Sequence, residues 1–141
     1  MKDQMMGRAE VLDQPPVRRV VATDDAPAAV GPYSQGISVG DFVFSAGQLG
    51  IDPATGNMVE GGVQAQAHQA LTNLQAVLKA AGSDLDRAVK VLVFLQDMGD
   101  FKVFNEVYAQ FFTQDPPARS AVQVAALPLG ALVEIVVVAI R

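Results

Sequence analysis

The chain has 141 residues, half of them hydrophobic, with 18% charged side chains, a net charge of −5 and no cysteine. That length fits one domain, and so apolar a composition suits burial of surface against further copies of the chain. The acidic balance argues against nucleic acid, whose partners carry a basic stripe, and the missing thiol removes disulfides, thiolate nucleophiles and zinc–thiolate sites.

Residues 1–16 show neither helix nor strand period and end in Pro15-Pro16, so a flexible extension is expected ahead of a domain over 17–141. The stretch lacks the apolar core of a signal peptide, and nothing in the chain reaches about 18 consecutive apolar residues. A cytoplasmic location, away from membranes, is the expectation.

Residues 17–23 (VRRVVAT) read as a first strand and 24–32 as loop. A short strand over 34–39 and another over 42–49 flank the Gly40-Asp41 turn signal and predict a hairpin. Residues 52–57 (DPATGN) are a second turn. Val63, Ala67, Ala70, Leu71, Leu74, Val77, Leu78 and Ala81 then follow a helical period, and Gly82 is placed to end that helix in a left-handed cap. Residues 88–96 (AVKVLVFLQ) predict a central strand. Asp100 stands as N-cap to a second helix with Phe104, Val107, Tyr108 and Phe111 on its apolar stripe. Strands over 120–126 and 132–140 close the chain.

The order β-ββ-α-β-α-ββ predicts an α+β domain: one mainly antiparallel sheet of about six strands with two helices on one face. The last strand alternates Val133, Ile135 and Val137 with Val136 and Val138, so both its faces are apolar. Two helices cover only one of them, which points to another subunit on the other.

Groups for chemistry are few. His68 is the single histidine and sits on the polar side of the first helix. No His/Asp/Glu group has metal-ligand spacing, and the usual nucleotide and hydrolase motifs are absent. Gly61-Gly62 reads as a turn rather than an anion site. Two charges stand out. Arg119 opens a strand just after Pro116-Pro117-Ala118, and Glu134 lies alone in an apolar strand. A carboxylate there must be exposed, paired or hydrogen-bonded. The pattern fits a structural ion pair, or a site where Arg holds an anionic substrate and Glu handles protons.

A resemblance sharpens this choice. The run 117–128 (PARSAVQVAALP), followed by Val133-Glu134-Ile135, resembles the C-terminal signature of the RidA/YjgF/YER057c/UK114 family. Upstream, Gly31-Pro32-Tyr33-Ser34-Gln35-Gly36, Gly47-Gln48 with Asp52-Pro53 and Gly56, Asp100-Phe101, and Asn105-Glu106-Val107-Tyr108 match further motifs in order, over about residues 17–141. The resemblance implies a chorismate-mutase-like fold and a homotrimer with ligand sites between subunits. It also implies hydrolysis of 2-imino acids to 2-keto acids and ammonia, with no metal and no cofactor. By the same resemblance Arg119 grips the substrate carboxylate and Glu134 orients or activates water. Tyr33 lines the pocket, Asn105 contacts the ligand, and the backbone of Gly47 lies against it.

The chain departs from the family pattern at two lining positions. Ala46 stands where many members carry serine, and Ala121 where many bacterial members carry cysteine. Strand alternation aims the nearby Ser45 to the opposite face from Ala46. Two other functions remain at this point: a non-catalytic module binding small keto acids or carboxylates, and an RNA-acting protein of the kind described as endoribonuclease L-PSP. The acidic charge and the unpartnered His68 count against the latter.

Overall fold

Arg18–Val21 (β1), Gly36–Val39 (β2) and Phe42–Ser45 (β3) form the first strands of the computed structural model, which describes residues 15–141. Residues 1–14 of the expected extension lie outside them. Gly40, at φ +56°, turns β2 into β3 as the Gly40-Asp41 signal predicts. Strand β1 is shorter than expected because its partner β2 offers only four residues for pairing.

Helix α1 (Gly62–Ala80) buries Leu71, Leu74 and Leu78 completely. Its end matches the expected cap: Gly82 has φ +81°, its N–H bonds Lys79 O, and the Ser83 N–H bonds Leu78 O. Strand β4 (Ala88–Leu95) follows, then helix α2 (Phe101–Phe111). Asp100 sits at the N-cap of α2 but makes no side-chain cap bond. Asp97 does the capping one turn earlier, accepting from the Gly99 N–H, because a 3-10 turn over Met98–Asp100 leads into the helix.

Strands β5 (Ala118–Gln123) and β6 (Val133–Ile140) complete one six-stranded sheet in the order β1-β2-β3-β6-β4-β5. All pairs are antiparallel except β4 with β5. Strand β5 starts and ends earlier than expected because it runs beside β4, from Lys90↔Ala118 to Leu95↔Gln123, and β4 stops there.

Both helices lie on one face. Val91, Val93, Leu95, Val133, Ile135 and Val137 point beneath them into one core with Leu71, Leu74 and Phe104. Truncating one of these leucines to alanine costs about 2–5 kcal/mol. The opposite face has no cover among the described residues: Val20, Phe42, Phe44 and Val122 are 43 to 62% exposed, and Val136 and Val138 are half-buried. Among the described residues no helix is long and apolar enough to cross a membrane.

Candidate active site

Arg119 is the second residue of β5 and pairs with Val91, whose side chain is buried under the helices. Register therefore turns Arg119 toward the helix face, beneath α2. There Asn105 Oδ1 accepts a hydrogen bond from Arg119 Nη1 at 2.8 Å. The guanidinium carbon lies 5.4 Å from the ring centre of Phe101 and 4.7 Å from that of Tyr108. Phe101, Asn105 and Tyr108 are spaced i, i+4, i+7, one stripe of α2. Ala121 pairs with Val93 and shares this face of β5. Burial pushes the Tyr108 phenol up to about 12 against the opposing pull of Arg119, so it stays neutral.

Glu134 is the second residue of β6 and lies opposite Phe94, between the buried Val133 and Ile135. Alternation puts its carboxylate on the open face. Burial raises its pKa above the ordinary 4.5, with no cation or hydrogen bond among the described residues to offset it. Gly47 packs directly on it: a Cβ at that position would stand 2.7 Å from the Glu134 carboxyl carbon. The strand between is irregular. Phe44 pairs with Val138 but Gln48 bridges Ile135, four residues against three, a bulge that spans Ser45, Ala46 and Gly47. Simple alternation therefore does not run through Ser45. Its hydroxyl instead accepts from the Val137 N–H at 2.9 Å, replacing a ladder bond. The Ala46 N–H bonds Gln35 O.

Tyr33 lies in the loop before β2, half exposed, and its phenol oxygen accepts from the Val30 N–H. It lines an open depression with Val20 and Thr23. Gln35 fixes this loop, accepting from the Thr23 N–H and donating to Thr23 O, Ala26 O and Pro27 O. His68 is exposed on α1, its ring edge-on to Phe111 at 5.1 Å.

The expected residues thus fall into three groups. Asn105, Arg119 and Ala121 form one, Ala46, Gly47 and Glu134 another, and Tyr33 stands apart. Arg119 and Glu134 sit on opposite faces, two strands apart and three residues apart along β4, a backbone separation of about 14 Å. Tyr33 precedes β2, four strands from β5. Sequence reasoning placed Tyr108 only in the core stripe and missed the contacts of Phe101 and Tyr108 with Arg119. Their spacing around Asn105 carried the signal.

An α+β domain of this topology, with an arginine held under its second helix and a glutamate on its open face, defines the class. The family model described as Endoribonuclease L-PSP matches residues 23–141. A goat protein named 2-iminobutanoate/2-iminopropanoate deaminase is 52% identical over 125 residues, 89% of this chain and 91% of that protein. The crystal structure of RidA from an Antarctic Psychrobacter superposes with a TM-score of 0.84 at 48% identity, over 87% of this chain and 99% of that one. The structure of E. coli TdcF with bound serine gives 0.84 at 42% identity, over 87% and 98%. The chain belongs to the RidA/YjgF family.

Proposed function

We propose that the chain hydrolyses 2-imino acids, released as reactive intermediates, to 2-keto acids and ammonia, in clefts between the subunits of a homotrimer. The observation that carries the reading is the division of the site. Each chain holds a guanidinium under α2 and a carboxylate on its open face, too far apart to act on one small molecule. A neighbour seated on the apolar sheet face brings the Arg119 of one chain to the Glu134 of another. The same contact covers Phe42, Phe44 and Val122. The deaminase name of the goat relative and the serine bound by TdcF support a small amino-acid-like ligand.

The chemistry needs little machinery. Arg119, steadied by Asn105, offers its remaining N–H groups to the substrate carboxylate in a bidentate grip. The protonated imine is already electrophilic. Glu134 accepts a proton from a water as its oxygen attacks the C=N carbon, giving a tetrahedral carbinolamine. Glu134 passes that proton to the nitrogen and takes the hydroxyl proton as the C–N bond breaks, so the C=O forms and ammonia leaves. The last proton goes from Glu134 to the departing ammonia, giving ammonium. Water is the only co-reactant, so no metal or cofactor is required. Gly47 leaves backbone against the ligand, Tyr33 closes the side wall, and Ala46 and Ala121 line it.

A coupled assay tests this. A serine or threonine dehydratase generates the imine, and keto-acid release is followed with and without the chain. Wild type accelerates release, and Arg119→Ala does not. Equal rates with and without wild type, together with measurable 2-oxobutanoate binding, would overturn catalysis in favour of a binding module.

A further inference from the structure

Arg119 has four rotatable side-chain bonds and stands on an edge strand, yet its head is fixed from three sides. Asn105 takes one N–H, and the rings of Phe101 and Tyr108 lie within 5.4 Å and 4.7 Å of the guanidinium carbon. Tyr108 sits in a wider aromatic stack, 5.6 Å from Phe104 and 4.4 Å from Phe112, and Phe101 is half-buried against the core. Both rings are therefore backed by packing rather than free in solvent. The Tyr108 hydroxyl takes no part in this: it is buried and has no hydrogen-bond partner among the described residues. What Tyr108 gives Arg119 is a π-face, which attracts a cation most strongly where water is excluded.

We infer that Phe101 and Tyr108 are positioning residues that clamp Arg119 in its carboxylate-facing pose, and that their rings, not the tyrosine hydroxyl, set the preference of the site for carboxylate-bearing ligands. The inference rests on the reading of Arg119 as the carboxylate grip. A freely rotating arginine gives up side-chain entropy each time it binds, whereas a clamped one has given it up already on folding. Loss of a ring therefore weakens binding of the carboxylate and leaves the rest of the ligand's contacts alone. Because the grip is present before and during reaction, the loss appears in KM more than in kcat. The phenol's raised pKa keeps the ring neutral throughout the working range.

The test compares 2-oxobutanoate with its uncharged methyl ester as competing ligands of the intact assembled protein. Tyr108→Leu and Phe101→Leu each weaken the acid about fivefold to thirtyfold, as expected for loss of a desolvated cation–π contact, and leave the ester unchanged. Tyr108→Phe restores the acid affinity. Phe101 is half-buried at the start of α2, so its variant keeps the inference testable should Tyr108→Leu lose the fold. Equal weakening of acid and ester would show a merely structural role and overturn the clamp. So would wild-type acid affinity in both leucine variants while Arg119→Ala loses the preference. If Arg119→Ala itself keeps the preference, the reading of Arg119 fails, and the clamp falls with it.

Discussion

The arginine region and the glutamate region of this chain are built on opposite principles. Arg119 is fully furnished: an amide on one N–H, two rings against the guanidinium, and a core beneath. Glu134 is bare. Its carboxylate has an apolar strand around it, a glycine against it and only desolvation acting on its proton. The first arrangement holds a permanent charge still, which suits recognition of an anion. The second leaves a titratable group unsatisfied until something arrives, which suits proton transfer. The proposed site takes one region from each of two chains, and the difference between the regions can be broken in graded ways.

The largest effect falls on assembly. Phe44→Lys puts a charge on the open face, where Phe44 is 43% exposed. A sizing measurement should show monomers, with activity lost altogether. A variant that remains an oligomer and stays active would place the interface elsewhere. Next is Arg119→Ala, which on the proposed reading removes two charge-assisted hydrogen bonds to the substrate and should lower kcat/KM by about 100- to 1000-fold. Glu134→Gln should disable turnover as well, and co-assembly of the two inactive chains should restore part of the rate. Recovery is expected only if Arg and Glu come from different subunits; none would return the site to a single chain.

Gly47→Ala has a smaller reach. The added Cβ meets the Glu134 carboxyl group at 2.7 Å and must push it aside. Restoring ordinary contact moves the carboxylate by about 1 Å, a misplacement that costs about 100-fold in kcat, with binding of 2-oxobutanoate little changed. Unchanged kcat would mean that the carboxylate does not need its observed position.

The smallest effect is in pH. The folded-state pKa of Glu134 is raised, so its contribution to stability is full below the ordinary 4.5 and is lost as pH rises through the folded value. Wild type should therefore lose stability relative to Glu134→Gln across that window, read from denaturant midpoints at a series of pH values. The acid limb of the rate profile should fall at the same raised pKa. A stability difference flat in pH would show that the assembly offsets the desolvation of the carboxylate, as a neighbour's guanidinium beside it would.

Much of the fold was legible. The 3.6-residue period of α1, its Gly82 stop, the Gly40 hairpin and the doubly apolar last strand are local patterns, written in neighbouring residues. Asp100 shows the limit: its type and position suited a cap, but the 3-10 turn ahead of α2 gave the capping to Asp97. The site was legible as a set of residues and not as an arrangement. Arg119 and Glu134 lie fifteen positions apart in sequence, and the chain alone says nothing of which face either takes.

By itself the sequence determined the element order, the core stripe of each helix, the apolar excess on the second sheet face and the family. These follow from short-range periodicity and from motifs that sit within a few residues. Only the tertiary structure decided that β6 enters between β3 and β4, that β5 runs parallel to β4, and that a one-residue bulge brings Gly47 onto Glu134. Those are matters of register between strands distant in the chain. Because side chains alternate faces at every residue, a single step of register decides whether a charge lies under the helices or on the open face.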